Sequence, residues 1–275
     1  MYMKLKDGKS KVLTFSYDDG VVQDIRLIDI FNKHGLKATF NINSGLYLPE
    51  DATREKLRGR LKRSEAIALY KDSGHEVAVH GLEHKFLSKL KPTEMVREVL
   101  EDRRRIEEDF GVITRGMAYA YSDYSAEVIE ILKQCGIVYS RAVASTLRFS
   151  FPTDFWAIQP TCHHANEKLM ELADKFVNTQ SRYPTDNWLF YVWGHSYEFD
   201  DRDNWDVIER FAAYVGGKED IWYATNIEIH DYVRAYEALV VNADSTLVYN
   251  PTLIDVWFSE KGKTYCVHKG ETVHI

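Results

Sequence analysis

"LTFSYDDG", residues 13–20, is a β-favouring apolar run that stops abruptly on two adjacent carboxylates, Asp18 and Asp19. Val12, Leu13, Thr14 and Phe15 read as a buried strand, and the glycine behind the acids reads as a turn. Neighbouring aspartates repel, so a chain that pairs them at a strand end needs a reason. One reason is local: ahead of "GVVQDI" the pair can act as helix cap and first-turn acid. The other is chemical, a cation held at the pair.

The flanking sequence decides which kind of strand end this is. "KVLTFSY" (11–17) and "KATFNIN" (37–43) are strand-like, and "DIRLIDIFNKHG" between them carries Ile25, Ile28 and Phe31 at helical spacing, with Gly35 as its C-cap. That is a βαβ unit. The alternation continues through "EVAVH" (76–80), a charged helix over 92–110 led by Pro92, "RGMAYAY" (115–121), a helix near 125–135, "IVYSRAV" (137–143), a helix near 166–178, "WLFYVWG" (188–194), a helix near 205–215, "IWYAT" (221–225) and a helix near 227–239. Seven to eight β/α units predict a (β/α) barrel, distorted or incomplete, over residues 1–242; an open doubly wound sheet is the alternative. From residue 243 the character changes to short β runs broken by Asn250-Pro251 and Lys261-Gly262, which predicts a small β appendage over 243–275.

Composition bounds the function classes. The 275 residues are 45% apolar and 28% charged with a net charge of -7, an ordinary globular balance without the basic footprint that nucleic-acid binding needs. Arg103-Arg104-Arg105 lies among Glu101, Asp102, Glu107 and Glu108 and reads as a solvated helix face. Cys135, Cys162 and Cys266 are odd in number and far apart, so no disulfide framework is expected. "MYMKLKDGKSKVLTF" holds no apolar stretch of signal-peptide length, and no segment approaches 18 uninterrupted apolar residues; the expected location is cytoplasmic, with no membrane partner. Oligomeric state is not legible.

In a β/α barrel the reactive groups gather at the C-terminal ends of the strands. Those positions hold Asp18 and Asp19 after the first strand, His80 after the third, Arg115 beside the fourth and His195 after "LFYVWG". His84 follows His80 at i+4, a spacing that brings two imidazoles to one side of a helical turn. Two imidazoles and a carboxylate are a common metal set with open positions. Each piece also has a plain reading: a helix cap for the acids, surface histidines for H-x-x-x-H, a satisfied buried histidine for His195. Their joint placement at three strand ends favours the site. "PTCHH" (160–164) offers His163 and His164 to the same mouth, or merely a capped helix start; zinc on Cys162 lacks a second cysteine at ligand spacing.

Taken in order, these segments resemble the NodB-type polysaccharide deacetylases, carbohydrate esterase family four, over roughly residues 10–240. "LTFSYDDG" is similar to the T-F-D-D-G motif, with Ser16-Tyr17 for Thr-Phe; "VHGLEH" (79–84) is similar to H-[ST]-x-x-H, with Gly81 for Ser or Thr; the segment ending at His195 resembles L-x-H, with Trp193 for Leu. The resemblance implies Asp18 as general base, and Asp19, His80 and His84 as ligands of a divalent metal, zinc by preference, with cobalt, nickel, manganese or iron as alternatives. It implies His195 as general acid on a leaving amine. The third motif, R-x-P-Y, is altered: Ala120 stands before Tyr121 where Pro is expected, Ala118 takes the Arg position, and Arg115, three residues early, is the nearest guanidinium. Tyr121 and Arg115 carry over on that footing. The fourth motif, an Asp with a Trp bracing the acid, has no match.

The function expected is metal-dependent removal of an N-acyl group, acetyl first, from an amino sugar or oligosaccharide. Two alternatives stand: a hydrolase of another linear or cyclic amide in nitrogen metabolism, and a carbohydrate-binding protein with a degenerate site. An iron oxygenase would also use two His and one carboxylate, but its H-x-D spacing is missing.

Overall fold

The computed structural model describes residues 1–53, 59–180, 183 and 185–275. Its centre is a parallel sheet. After a short N-terminal strand β1 (Tyr2–Lys4), the chain forms β2 (Lys11–Asp18), helix α1 (Asp24–Lys33), β3 (Ala38–Ile42), α2 (Arg63–Tyr70), β4 (Glu76–Val79), α3 (Pro92–Phe110) and β5 (Gly116–Ala118). Then follow α4 (Ala126–Gln134), β6 (Tyr139–Arg141), β7 (Cys162–His163), α5 (Leu169–Asn178), β8 (Trp188–Gly194), α6 (Tyr197–Asp201), α7 (Trp205–Val215), β9 (Ile221–Tyr223) and α8 (Asn226–Glu237).

The strands hydrogen-bond in the order β6-β5-β4-β3-β2-β8-β7, and β9 joins β2 beside them. Strand β2 is the hub: β8 runs along it from Lys11 to Tyr17, β9 pairs with its first three residues, and β3 pairs with Phe15 to Asp18. The two outer strands approach each other through the segment leading to β7, where Arg141 forms a parallel bridge with Ile158. The sheet is thus a distorted (β/α) barrel, as the alternation predicts.

Local signals explain most element ends. Pro92 opens α3 where its missing N–H costs nothing, and Gly111 closes it at φ 69°. Ser125 accepts from the Val128 N–H to start α4, and Thr225 with Glu228 forms a capping box on α8. All eight residues of β2 are buried. Its odd-numbered apolar side chains, Leu13, Phe15 and Tyr17, face the helices with Phe31, Phe40 and Phe211, while Thr14, Ser16 and Asp18 point into the barrel.

The tail forms two small antiparallel sheets. Strand β10 (Val240–Val241) pairs with β11 (Leu247–Tyr249), which pairs with β14 (Thr272–His274); β12 (Val256–Glu260) pairs with β13 (Lys263–Val267). One feature differs from the expected division at residue 242: β1 lies antiparallel on β12, with Met3 opposite Phe258. The first residues therefore pack with the tail, because a three-residue strand gains its partners there and not in the parallel sheet. No helix among the described residues is long and apolar enough to cross a membrane.

Candidate active site

Strand register sets the first half of the site. Asp18 lies opposite Asn41 in the β2–β3 ladder, and the Asn41 side-chain amide donates to Asp18 Oδ1 at 2.8 Å and to Ser16 Oγ at 2.8 Å. Arg141, the last residue of β6 and wholly buried, closes on Asp18 with Nη2 at 2.7 Å from Oδ1 and 2.5 Å from Oδ2, while its Nε donates to Ser16 at 3.1 Å. Burial would push the Asp18 carboxyl up; Arg141, with His80 and His195, outweighs it and holds the group at about 2.

The next residue leaves the strand. Asp19 adopts φ 89°, a conformation that costs a non-glycine residue about 1–3 kcal/mol, and this turns its carboxylate away from that of Asp18 toward the imidazoles. His84 Nε2 lies 3.8 Å and His80 Nε2 4.0 Å from Asp19 Oδ1. The H-x-x-x-H pair does not sit on a helical turn, as its spacing predicts. Residues 80–84 form an irregular turn after β4, with Gly81 at φ 85° and His84 at φ 56°, and the ring centroids meet at 4.7 Å. Asn43 holds that turn through the carbonyls of His80 and Gly81, at 2.9 and 2.6 Å. Arg60, unforeseen from the sequence, donates to Asp19 Oδ1 at 3.0 Å and to Asn43 Oδ1 at 2.8 Å.

The donor chemistry fits a divalent cation. One oxygen of Asp19 and one nitrogen each of His80 and His84 lie within 4.8 Å of one another, close to the spacing of three ligands about 2.0–2.2 Å from a shared ion. His80 Nδ1 lies 2.8 Å from the Ala118 carbonyl, which can only accept. The proton is thereby fixed on Nδ1, and the Nε2 lone pair is free to face the other donors. Burial, with His80 alongside, pushes His84 down to about 4, so its ring is neutral near pH 7.

His195 completes the mouth from β8. Its Nε2 is 3.9 Å from Asp18 Oδ2, and its Nδ1 is 2.8 Å from Glu198 Oε1. Burial alone would depress His195; the hydrogen bond to Glu198 and the charge of Asp18 raise it above its ordinary value instead. Glu198 thus takes the bracing place that the resemblance gives to an aspartate. The sequence hides it, because it follows His195 on α6 where the resemblance implies an Asp with a Trp; its i+3 spacing from His195 is the available signal.

Arg115 is not in this site. It precedes β5, at the opposite end of the parallel strands, and pairs with Asp231 at 2.5 Å. Arg141 fills the position assigned to it, and the visible clue was an arginine inside the apolar run "IVYSRAV". Tyr121 does reach the mouth: at φ 56° and 58% exposed, it stacks on Phe86 at 3.9 Å and meets His84 edge-on at 4.5 Å. His163 and His164 also reach it, beside Glu198.

Comparison with known proteins follows this geometry. The fold matches a Mycobacterium smegmatis protein whose assignment as a polysaccharide deacetylase is provisional, at TM-score 0.59 and 18% identity over 86% of this chain and 94% of that one. It also matches the peptidoglycan deacetylase PdaC from Bacillus subtilis, at TM-score 0.52 and 16% identity over 83% and 94%. A looser match, the Streptococcus pyogenes deacetylase PplD in complex with acetate, has TM-score 0.45 and 16% identity; 52% of this chain aligns, spanning 61% of PplD. No curated protein matches the sequence. Residues 5–140, which contain the aspartate pair, His80 and His84, match the polysaccharide deacetylase family, so this part of the chain is a polysaccharide deacetylase domain.

Proposed function

We propose that this protein is a metal-dependent hydrolase that removes an N-acyl group, acetyl first, from an amino sugar or its oligosaccharide. The observation that carries this reading is the position of Asp18 Oδ2, 3.9 Å from His80 Nε2 on the cation side and 3.9 Å from His195 Nε2 on the acid side. A proton acceptor lies between a cation-binding set and a proton donor, the order that amide hydrolysis requires.

Asp19, His80 and His84 would hold the cation, with zinc as the first candidate. When bound, such an ion polarises an acyl carbonyl and makes a water easier to deprotonate. Asp18, kept ionised by Arg141, Asn41 and its neighbours, takes the proton from the attacking water. His195, kept protonated by Glu198, delivers one to the amine nitrogen, which would otherwise have to leave as an anion. Arg60 and Asn43 orient Asp19 and the histidine turn, and Tyr121 with Phe86 offers an aromatic wall to a sugar ring. The products are a free amine and a carboxylate, acetate for an acetyl group.

The carbohydrate-binding alternative rests on the altered third and fourth motifs. Arg141 and Glu198 supply the two groups those motifs provide, which favours turnover. The test is acetate release from N-acetylated chito-oligosaccharides by chelator-stripped protein before and after zinc or cobalt is restored. Release only with metal supports the reading. Cleavage of ureides or formamides, with none of amino sugars, would move it to nitrogen metabolism.

A further inference from the structure

Glu198 carries more than one hydrogen bond's worth of neighbours. Besides His195 Nδ1 at 2.8 Å, its carboxylate faces His163 Nε2 at 3.3 Å from Oε1, His164 Nε2 at 3.5 Å from Oε2, and Arg202 Nη2 at 2.9 Å from Oε2. Three imidazoles and a guanidinium surround one carboxylate. His163 Nδ1 accepts the Ala165 N–H at 3.1 Å, which places the neutral ring's proton on Nε2, pointing at Glu198. That tautomer makes His163 a donor and leaves no lone pair there for a cation, although His163, His164 and Glu198 lie close enough together to hold one. His164 is sandwiched between Tyr17, with centroids at 5.7 Å, and Phe199, at 4.2 Å, and burial pushes it down to about 4. It is a neutral ring fixed by packing.

We infer that His163 and His164, together with Arg202, are positioning residues for the general acid: with His195 they surround the charge of Glu198 with four nitrogens, and so limit how tightly Glu198 holds the proton on His195. A histidine paired with a carboxylate that has no other partner retains its proton strongly and is a poor acid. Dividing the carboxylate's charge weakens that hold while the shared contacts fix the ring. The groups facing His195 are Asp18 from β2 and Asp19 just beyond it, with Arg141 behind, Tyr197 and Glu198 from α6, and His163 from β7 with its ring centroid at 6.4 Å. His164 and Arg202 reach His195 only through Glu198, whereas His163, at the end of β7, meets both. This inference rests on the proposed role of His195, but its readout needs no substrate.

The experiment is an NMR titration of His195 in the full chain, histidine-labelled and supplied with equimolar zinc, comparing wild type with His163→Phe, His163→Gln and Arg202→Met. Removing a donor should raise the His195 midpoint by about half to one pH unit, a threefold to tenfold tighter proton. His163→Gln, which keeps an N–H donor, should stay near wild type. Arg202 is about half exposed, so its variant tests the idea even if His163→Phe fails to fold. A midpoint that stays fixed or falls in both donor-removing variants overturns the inference. So does a second equivalent of zinc, bound by wild type when zinc is supplied in excess and abolished in His163→Phe, because the cluster would then be a cation site. Absence of deacetylation by wild type would sink the functional reading and leave the titration interpretable.

Discussion

Arg141 grips both carboxylate oxygens of Asp18, at 2.7 and 2.5 Å, from a strand four positions away in the sheet order. Both residues are buried, so neither can lose the other without leaving a buried charge unpaired. Arg141→Met should cost activity roughly a hundredfold or more, the usual scale of a general base. Arg115→Met should leave kcat/KM within about twofold, since its partner Asp231 lies at the other end of the barrel. Steady-state kinetics on the two purified variants would show it; equal losses would restore Arg115 to the site.

The division between Asp18 and Asp19 predicts a split between binding and turnover. Asp19→Asn and His84→Ala should each weaken zinc retention by about tenfold or more after dialysis. Asp18→Asn should retain the ion and lose turnover. Elemental analysis beside acetate release separates the two outcomes, and loss of zinc in Asp18→Asn would make that residue a ligand.

Gly194 is required for space. A Cβ there would lie 2.1 Å from His164 Nδ1, in a ring that cannot move because Tyr17 and Phe199 hold both its faces. Gly194→Ala should therefore destabilise the fold by about 1–3 kcal/mol and displace His195 next to it. Urea unfolding would detect the first effect, and a midpoint equal to wild type would show that His164 has room to yield.

Glu76 sets a pH dependence remote from the site. It is buried and accepts from Tyr139, Thr39 and the Ile227 N–H, yet desolvation outweighs these bonds and pushes it up to about 7. The unfolded chain ionises this group near its ordinary value of about 4.3 while the folded chain still holds the proton. Between roughly pH 4 and 7 the folded state therefore binds more protons, and its stability from this group falls as pH rises. Glu76→Gln removes the effect, so the melting temperature of wild type minus that of the variant should decline from pH 5 to pH 7. A rising difference would mean Glu76 is ionised in the fold throughout.

Periodicity made the barrel legible because parallel strands buried on both faces alternate with amphipathic helices at regular spacing, and the reading of "WLFYVWG" as a strand matches β8 to the residue. Asp18, Asp19, His80, His84 and His195 converge because strand ends are fixed by that same alternation. What escaped was set by long-range packing. Arg141 is 123 residues from Asp18 and lies in a motif-free strand. The turn at His84 depends on left-handed backbone that no helical spacing reveals. The short strand β7 and helix α6 have too few residues for a period, yet they carry His163 and Glu198.

The Asp18–Asn41 register pairing has one more implication. Asp18, Asn41, Ser16 and Arg141 all sit on strands of the barrel, whereas Tyr121, Phe86, His163 and Arg202 lie at strand ends or on the connections around the mouth. The proposed base is thus locked to the scaffold, and the aromatic wall of Tyr121 and Phe86 that would meet a substrate is carried by parts that can be exchanged. Redesigning those connections for a different acylated amine should leave the Asp18 geometry intact, so the scaffold can be retargeted without rebuilding its chemistry.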